Sequence, residues 1–452
     1  MAKLFGTDGV RGVANSELTP ELAMDIGKAV VSVLSKETAT KPVILIGKDT
    51  RVSSDMLENA LAAGICAMGA DVQLLGFIPT PAVAYLISRY GAAAGIVVSA
   101  SHNPVEFNGI KVLGPEGYKL PDELEEEIER YIEDKAEVKP KTGSEIGSVS
   151  FRNDALNDYT DYLIGCLGGY SISGIKVAVD CANGAAFDAA RKVFAALGVD
   201  AIFTAVTPDG NNINDNVGST HLEHISKLTV SSECEIGIAY DGDADRCLAV
   251  DENGNEIDGD KTIAVFAKYL KAEGKLPHDT AVVTVMSNLG LFEYCRGLGI
   301  TLKAAPVGDR YVLEEMQKGG YVVGGEQSGH IILLEYATTG DGILTSLMLL
   351  KRLKESNRKA SELVSDIPIY PQVLKRISAD NAQKAFFNGS AEIKAFLKGI
   401  DEKLGETGRT LVRCSGTEPV IRVLVEGKDQ KEIEDVADTI CGKLEEVLAG
   451  VK

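Results

Sequence analysis

Three segments of the chain share one pattern, an apolar β-branched stretch that ends in a polar or glycine-rich turn. They are KPVILIGKDTR (41–51), GIKVAVDCANGAA (174–186) and TAVVTVMSNLG (280–290). Helical patterns follow the first two directly, and each leads to a further short strand: 55–68 then 72–75, and 186–197 then 201–204. This β-α-β order is typical of parallel α/β units. The pattern therefore predicts three similar mixed α/β domains in series.

The end of the chain has a different pattern. Strand patterns at 410–413 and 420–426 precede a helical pattern at 431–448, which is typical of a smaller α+β domain. A chain of 452 residues is also too long for one hydrophobic core. Polar stretches near 122–153, 253–260 and 366–371 suit the breaks between domains. We therefore expect domain I at 1–153, domain II at 154–254, domain III at 255–367 and domain IV at 368–452.

The charge balance argues against several kinds of partner. The formal net charge is −20, and an acidic surface repels the phosphate backbone of nucleic acids. No apolar run approaches the roughly 20 residues that span a bilayer, and the N-terminus MAKLFGTDGV does not resemble a signal region. The eight cysteines are scattered without a C-x-x-C pair, which predicts reduced thiols. We expect a cytoplasmic protein that binds neither nucleic acid nor a membrane.

An acidic loop follows the apolar run at 236–239. Asp241, Asp243 and Asp245 alternate with small residues, and in an extended chain this spacing puts all three carboxylates on one side. Such a set suits a hard cation such as Mg²⁺. A solvated acidic turn is one alternative, and a calcium loop with Glu252 as its twelfth ligand is another. Arg246 stands where a calcium loop needs glycine, which argues against the latter.

Two further stretches in the N-terminal domain present polar groups beside apolar runs. In GIVVSASHNPVEFNGIK (95–111), the strand pattern ends at Ser99, Ser101 and His102, and Lys111 follows. FGTDGVRG (5–12) combines a glycine-rich backbone with Arg11, which could hold a phosphate, although a plain turn would have a similar sequence. Both stretches are candidates for the contact with an anionic substrate.

Two stretches in the C-terminal half offer hydrogen-bonding groups. GGEQSGH (324–330) carries Glu326 and Ser328, which could bind sugar hydroxyls or an amine, with His330 nearby. RCSGTEPVIR (413–422) offers two guanidiniums and two hydroxyls around a glycine turn, a compact set of donors for a phosphate. The alternative for the second stretch is a strand connection with surface arginines.

Taken together, four of these motifs resemble those of the α-D-phosphohexomutase family. They occur in the family's order and span nearly the whole chain: S-A-S-H-N-P (99–104), D-G-D-A-D-R (241–246), G-E-Q-S-G-H (325–330) and R-C-S-G-T-E-P (413–419). The N-terminal FGTDGVRG, Gln327 and TTGDG (338–342) look most like the bacterial branch that acts on glucosamine phosphates. Cys414 is a departure, because this branch usually has proline there.

The resemblance implies a role for each motif. Ser101 is the implied phosphoryl carrier, with Ser99 as its competitor, and its phosphate together with Asp241, Asp243 and Asp245 would hold one Mg²⁺. The implied catalytic residues are Ser101, His102, Lys111, Arg11, Arg246 and His330. The implied substrate-binding residues are Glu326, Ser328, Arg413, Ser415, Gly416, Thr417 and Arg422.

The resemblance also implies a reaction. Glucosamine 6-phosphate and glucosamine 1-phosphate would interconvert through a 1,6-bisphosphate, which feeds UDP-N-acetylglucosamine and cell-wall precursor synthesis. Glucosamine or glucose 1,6-bisphosphate would activate the enzyme by phosphorylating Ser101. Because the four loops come from four domains, we expect a deep central cleft over which domain IV closes. The expected partners are small sugar phosphates, and a homodimer is left open.

Three alternatives compete with this reaction. A phosphomannomutase/phosphoglucomutase of the same family would use the same residues on other sugars. A serine phosphatase of the zinc-dependent type needs a cluster of His and Asp, but the chain has five His and none lies beside the acidic loop. A sugar-phosphate-binding protein without catalysis has no need of a phosphoryl acceptor such as Ser101.

Overall fold

A computed structural model describes residues 4–6, 8–34, 41–134, 139–415 and 419–451. The chain divides into two units, the first made of Met1–Met286 with Ile300–Asp366 and the second of Ser287–Gly299 with Ile367–Lys452. All eight cysteines are free thiols, as predicted. None of the helices in the described ranges is both long enough and apolar enough to cross a membrane.

The first sheet of the first unit contains the first repeat. Its elements are β1 (Val10–Val13), α1 (Pro20–Leu34), β2 (Val43–Lys48), α2 (Val52–Ala67), β3 (Asp71–Phe77), α3 (Thr80–Tyr90), β4 (Ala94–Val98), β5 (Phe107–Leu113), α4 (Asp122–Glu133) and β6 (Val149–Phe151), with a 3₁₀ turn at Gly143–Glu145. The strand order is β1-β5-β4-β2-β3-β6. The predicted β-α-β arrangement is confirmed, since β2 pairs in parallel with β3 and β4, whereas β1 and β5 run antiparallel.

The second sheet contains the second repeat. Its elements are α5 (Ala155–Cys166), β7 (Lys176–Asp180), α6 (Ala186–Ala196), β8 (Asp200–Thr204), α7 (Leu222–Ser231), β9 (Ile236–Tyr240), β10 (Cys247–Asp251) and β11 (Glu256–Ile257). The strand order is β11-β10-β9-β7-β8, with β7 parallel to β8 and β9. Strand β9 is buried along its whole length, which agrees with its uninterrupted apolar sequence.

The third sheet contains the third repeat. Its elements are α8 (Gly259–Ala272), β12 (Thr280–Thr284), β13 (Thr301–Ala305), α10 (Asp309–Gly319), β14 (Val323–Gly325), β15 (Ile331–Leu333), α11 (Gly342–Ser356) and α12 (Ala360–Val364), with a 3₁₀ turn at Pro277–Asp279. The strand order is β13-β12-β14-β15. Helix α9 (Leu289–Gly297) lies between β12 and β13 in the sequence but belongs to the second unit.

The second unit contains helix α9 and a three-stranded antiparallel sheet. Its other elements are β16 (Gln372–Ser378), α13 (Asn381–Gly389), α14 (Ala391–Leu404), β17 (Gly408–Cys414), β18 (Val420–Gly427) and α15 (Gln430–Leu448), with a 3₁₀ turn at Gly405–Thr407. The strand order is β16-β18-β17. Helix α15 buries Ile433, Ala437, Ile440 and Leu444 against this sheet, at the spacing of one helical face.

The predicted fold class is confirmed. Three mixed α/β sheets follow one another along the chain, and a smaller α+β unit ends it. The predicted boundaries between domains I to IV stay predictions. The serine loop (99–104) follows the carboxyl end of β4, and the acidic loop (241–246) follows the carboxyl end of β9. These strand ends are where α/β sheets place their ligand-binding residues.

Candidate active site

The two serines of the loop after β4 differ in the direction of their hydroxyl groups. Ser101 has a left-handed backbone with φ of 52°, a strained conformation that is frequent at functional sites. Its Oγ donates a 2.6 Å hydrogen bond to Asp241 Oδ2 and lies 3.2 Å from His102 Nδ1. Ser99 Oγ instead donates to Asp49 Oδ2 at 2.6 Å and accepts the Ser101 N–H. Only the Ser101 hydroxyl, of the two, contacts the acidic loop.

Two buried side chains hold the backbone of this serine loop. Arg51 pairs with Asp49 and donates from Nη2 to the carbonyls of Ser101 at 3.2 Å and Asn103 at 2.5 Å. Asn214 Nδ2 donates to the same two carbonyls at 2.9 and 3.1 Å. The sequence analysis missed both residues. They fix the unusual turn from the loops that follow β2 and β8, which positions the Ser101 hydroxyl.

Replacing Arg51 with alanine is expected to destabilise the protein strongly. The change leaves Asp49 as a buried carboxylate without its cation, which typically costs about 3–5 kcal/mol. Urea unfolding of the full chain should show the loss. Lys141→Ala is a suitable control, because Lys141 forms an exposed pair with Glu145 that is worth about 1 kcal/mol or less. Equal losses in the two variants would contradict the assigned role of Arg51.

The acidic loop brings its three carboxylates together. One oxygen from each of Asp241, Asp243 and Asp245 lies within 4.8 Å of the others, and all three residues are buried. The predicted extended geometry is wrong, because residues 242–244 turn sharply and Ala244 has φ of 56°. The side chains therefore meet around a turn and not along one side of a strand. Because the carboxylates are buried, the alternative of a solvated acidic turn is also wrong.

The close approach of the two loops depends on a glycine. A Cβ atom on Gly242 would lie 2.5 Å from the carbonyl oxygen of Ser101, a distance that real side chains do not reach. Glycine at this position therefore allows the acidic loop to approach the serine loop.

Two carboxylate oxygens of the acidic loop show whether a metal ion fits there. Asp243 Oδ1 and Asp245 Oδ1 are buried, and neither accepts a hydrogen bond from the described residues. Burial and the neighbouring carboxylates of Asp245 and Asp243 raise the pKa of Asp241 well above its usual range. A divalent cation with oxygen ligands would satisfy the buried oxygens and offset this repulsion. The residues present therefore fit such a cation.

The calcium-loop alternative is not supported, because its twelfth residue points elsewhere. The carboxylate of Glu252 accepts hydrogen bonds from Ser361, at 2.5 Å from Oγ and 3.0 Å from the backbone N–H. Glu252 is not part of the carboxylate cluster. Strand β9, and not a helix, also precedes the loop.

Lys111 is the buried cation beside the acidic loop. Its Nζ lies 2.7 Å from Asp243 Oδ2 and 3.3 Å from both Asp245 Oδ2 and Asp8 Oδ2. Although burial alone would lower the pKa of Lys111, the carboxylates of Asp243, Asp8 and Asp245 raise it well above the usual range. Thr80 also donates to Asp243 Oδ2, at 2.5 Å. The Lys111 ammonium therefore stays charged in this site.

Three residues that the sequence analysis missed extend this network: Asp8, Lys119 and Asp309. Lys119 Nζ lies 2.7 Å from Asp8 Oδ1 and 2.6 Å from Asp309 Oδ2. Asp309 Oδ2 is in turn 3.5 Å from His330 Nε2, and Asp8 reaches Lys111. Positive and negative groups thus alternate from Lys111 to Asp309, beside the His330 ring, and each charged group has an opposite charge next to it.

His330 connects the GEQSGH stretch (325–330), here called the sugar loop, to the acidic loop. Its Nδ1 lies 3.6 Å from Asp245 Oδ1, and the Gly340 N–H donates to its Nε2 at 3.1 Å. Burial alone would lower the pKa of His330, but Asp245 and then Asp309 raise it to about 9. The two observations disagree, because the Gly340 contact requires an Nε2 without a proton. A cation bound to Asp245 would remove the main cause of the raised pKa and so favours the unprotonated Nε2.

The rest of the sugar loop is held beside the same site. Cys247 donates its N–H to the Gly329 carbonyl at 3.0 Å, and Arg246 forms a backbone bridge with His330. Glu326 Oε1 accepts the Gly308 N–H at 3.1 Å, while Ser328 is half-buried. The structure therefore brings the sugar loop and the acidic loop together.

The remaining candidates of the first unit carry the positive charge around Ser101. Arg11 pairs with Asp8, and Arg246 Nε lies 4.0 Å from Asp245 Oδ1. Burial, followed by the charges of Arg246 and Arg11, lowers the pKa of His102 to about 4. The His102 imidazole is therefore neutral near pH 7.

The loop between β17 and β18 (415–419), here called the phosphate loop, belongs to the second unit. Arg413 on β17 lies directly opposite Arg422 on β18, and the Ser415 N–H donates to the Val420 carbonyl at 2.9 Å. Lys384 Nζ, which the sequence analysis missed, donates to the Ser415 carbonyl at 2.8 Å. Two further predicted binding residues, Gly416 and Thr417, lie outside the described residues.

Comparison with known families covers nearly the whole chain. Residues 2–139, 157–254 and 258–370 match the phosphoglucomutase/phosphomannomutase alpha/beta/alpha domains I, II and III, and residues 374–443 match the C-terminal domain of the same family. The chain belongs to the phosphoglucomutase/phosphomannomutase family. The family assignment from the four sequence motifs is thereby confirmed.

Full-length relatives of this phosphohexomutase are known from several bacteria. A phosphoglucosamine mutase from Caldicellulosiruptor saccharolyticus is 52% identical, over 99% of this chain and 100% of the relative. A phosphoglucosamine mutase from Clostridium beijerinckii is 51% identical, over 98% of this chain and 99% of the relative.

Solved structures of the phosphohexomutase fold are also similar to this chain. A phosphoglucomutase/phosphomannomutase family protein from Burkholderia thailandensis has a TM-score of 0.82 at 24% identity, covering 100% of this chain and 98% of that one. The N-acetylphosphoglucosamine mutase of Aspergillus fumigatus, solved with GlcNAc-6P and magnesium, has a TM-score of 0.67 at 17% identity, covering 97% and 95%. These two structures support the fold.

Proposed function

We propose that this protein is a phosphoglucosamine mutase, an isomerase that interconverts glucosamine 6-phosphate and glucosamine 1-phosphate. One observation carries the proposal: the Ser101 hydroxyl, held on a strained turn, donates to Asp241 within a buried cluster of three carboxylates. This arrangement suits a serine that is repeatedly phosphorylated and dephosphorylated. The choice of glucosamine is supported by relatives about 50% identical over their full length that carry this name.

In the first half of the reaction, phospho-Ser101 donates its phosphoryl group. The 1-hydroxyl oxygen of glucosamine 6-phosphate attacks phosphorus, the bond from phosphorus to Ser101 Oγ breaks, and the hydroxyl proton leaves to a base. We propose that the neutral His102 imidazole accepts this proton and that the charged Lys111 ammonium donates a proton to a leaving oxygen. Ser101 Oγ takes up a proton as it leaves, so the products are the 1,6-bisphosphate and a free Ser101 hydroxyl.

In the second half, the bisphosphate reverses its orientation and Ser101 accepts the other phosphoryl group. Ser101 Oγ gives up its proton to a base and attacks the phosphorus at position 6, the bond to the sugar O6 breaks, and O6 takes up a proton. Glucosamine 1-phosphate leaves, and the enzyme is again phosphorylated. The cations Lys111, Arg11 and Arg246 offset the negative charge that both transfers bring into the site.

We propose Mg²⁺ as the metal of this site. Asp241, Asp243 and Asp245 would hold it, and when bound it would neutralise charge on the phosphoryl oxygens. Glucosamine or glucose 1,6-bisphosphate would restore a dephosphorylated enzyme by transferring a phosphoryl group to Ser101.

Recognition of the sugar must work in both orientations. We propose that Glu326 and Ser328 bind hydroxyl or ammonium groups of the ring, since their loop lies against the acidic loop through the Arg246–His330 bridge. In the second unit, Arg413, Ser415 and Arg422, together with Gly416 and Thr417, would hold whichever phosphate is not transferred. The product would feed the synthesis of UDP-N-acetylglucosamine and of cell-wall precursors.

A comparison of substrates tests this function. The enzyme, activated with glucose 1,6-bisphosphate, should convert the 6-phosphate of glucosamine with a higher kcat/KM than the 6-phosphates of glucose and mannose. Sugar 1-phosphate and inorganic phosphate are both quantified by phosphorus NMR. Preference for mannose or glucose phosphate would support a phosphomannomutase/phosphoglucomutase instead. Stoichiometric release of inorganic phosphate would support a phosphatase.

Replacing Arg422 with alanine is expected to raise KM much more than it lowers kcat. A charge-assisted hydrogen bond to phosphate contributes roughly 1.5–3 kcal/mol, which corresponds to about a 10- to 150-fold increase. Initial rates at varied glucosamine 6-phosphate concentrations give KM and kcat separately. An unchanged KM with a collapsed kcat would place this residue in the chemistry or in domain closure and not in phosphate binding.

A further inference from the structure

The sheet of the second unit carries a third arginine in the same row as Arg413 and Arg422. In the antiparallel register, Arg376 on β16 lies directly opposite Arg422, and Arg422 lies directly opposite Arg413. Residues directly opposite each other in an antiparallel pair project from the same face of the sheet. The three guanidiniums therefore start from one line across all three strands. We call Arg376, Arg422 and Arg413 the arginine row.

The face that carries the arginine row is the one turned away from the core. Neighbouring residues of the same strands, Ile377, Ile421 and Val423, are buried in the core with helix α15. Because side chains alternate along a strand, the arginine row lies on the opposite face. Arg376 is exposed there, and Arg413 and Arg422 are half-buried.

The far end of this face is covered by another segment of the same unit. Glu426, two rows from Arg422, pairs with Arg409 at 2.7 Å and accepts the Leu289 N–H at 2.9 Å, so the 287–299 segment lies over it. The row between them contains leucines, of which Leu374 is 54% exposed. The arginine row is at the opposite end, where β17 leads into the phosphate loop and β18 leaves it.

The spacing of the arginine row suits a phosphate group. Guanidinium groups bind phosphate oxygens in pairs, and strands about 4.8 Å apart place one arginine on each side of a phosphate bound at the middle strand. The geometry of the row matches a phosphate dianion centred on Arg422.

We propose that Arg376 is a further phosphate-binding residue, which contacts the non-transferred phosphate of the sugar from the side opposite Arg413. The inference rests on the proposed function for the identity of the sugar. It does not depend on that identity for the phosphate, since the 6-phosphates of glucosamine, glucose and mannose offer the same anion. It assigns a role to a residue outside the motif 413–422.

Arg376→Ala is expected to raise KM for glucosamine 6-phosphate by about 5- to 20-fold, with kcat within about twofold of wild type. Calorimetric titration should show a similar loss of affinity for the 6-phosphates of glucosamine, glucose and mannose. Arg376→Lys should recover part of the loss, because it restores the charge without the paired donors. The thermal midpoint of Arg376→Ala should stay close to that of wild type, because the Arg376 side chain is exposed.

Lys375 provides a matched control on the same strand. Its side chain projects from the other face and pairs with Asp438 of α15 at 2.5 Å, so Lys375→Ala should leave KM and phosphate affinity unchanged. Unchanged KM and affinity in Arg376→Ala, while Arg422→Ala is impaired, would overturn the proposal. A clearly lower thermal midpoint of Arg376→Ala, with kcat and KM reduced together, would also overturn the proposal. Two results together would separate this proposal from the proposed function. If wild type does not turn over glucosamine 6-phosphate, the proposed substrate is wrong. If Arg376→Ala nevertheless weakens the binding of glucose 6-phosphate, the contact between Arg376 and phosphate is supported.

Discussion

Replacing Ser101 with alanine should reduce mutase turnover by about 10³-fold or more while the protein stays folded. The variant lacks the oxygen atom that carries the phosphoryl group, and the rest of the site cannot replace a covalent intermediate. The folded state should survive, because the change deletes one hydroxyl whose main contact is Asp241. Turnover of glucosamine 6-phosphate and the thermal midpoint, measured on the same preparation, test both statements.

Ser99→Ala is the matched control for this variant. Ser99 Oγ is buried, donates to Asp49 and accepts the Ser101 N–H, so its loss should weaken the turn and slow the reaction but leave measurable turnover. The opposite pattern, with near-wild-type activity in Ser101→Ala and none in Ser99→Ala, would mean that the carrier has been misassigned. Normal activity in both variants would remove the phosphoserine mechanism altogether.

Removal of divalent metal should abolish turnover, and added Mg²⁺ should restore it. The carboxylates of Asp241, Asp243 and Asp245 converge in a buried site, and two of their oxygens accept no hydrogen bond within the described parts of the chain. Excess EDTA followed by titration with Mg²⁺ gives the measurement. Zn²⁺ should bind the same oxygens yet support less turnover, because affinity and catalytic geometry are separate demands.

Asp243→Asn should mimic metal removal, with turnover lost and only weakly recovered by excess Mg²⁺. Asp251→Asn is the control, because Asp251 holds the turn after β10 through the N–H groups of Asn253 and Asn255 and is not in the carboxylate cluster. Its turnover and Mg²⁺ requirement should match wild type. Full activity of the wild-type enzyme in excess EDTA would contradict the metal assignment.

The parts of the fold that the sequence predicted are those with strong local patterns. Strand β4 ends at Val98 as the apolar run indicated, and the helix expected at 186–197 spans Ala186–Ala196. The C-terminal helix expected at 431–448 starts one residue earlier, at Gln430. Burial of an apolar face determines these elements, so the periodicity of apolar residues is sufficient to locate them.

The sequence pattern did not predict the geometry of the acidic loop. Alternation of Asp241, Asp243 and Asp245 predicted an extended chain, but the structure has a turn with Ala244 in the left-handed region. Alanine gives no sequence signal for that conformation, since glycine and asparagine are the residues usually found there. The loop also contacts Ser101, which is 140 residues away from Asp241 in the sequence.

The residues that the sequence analysis missed act through long-range contacts. Lys119 pairs with Asp8 and Asp309, which are 111 and 190 residues distant. Arg51 and Asn214 hold the serine loop from the loops that follow β2 and β8. No motif contains these residues, and their roles follow only from the packing of the sheets. The predicted central cleft and its closure by domain IV stay predictions.

The most direct test of a phosphoserine mutase is to follow the phosphoryl group itself. Dephosphorylated enzyme is incubated with glucose 1,6-bisphosphate labelled in its phosphates, washed, and then chased with unlabelled glucosamine 6-phosphate. The account predicts about one labelled phosphoryl group per chain on Ser101, located by peptide mass spectrometry, and its transfer to sugar phosphate during the chase. Label on Ser99, no label on the protein, or label released as inorganic phosphate during the chase would contradict the account.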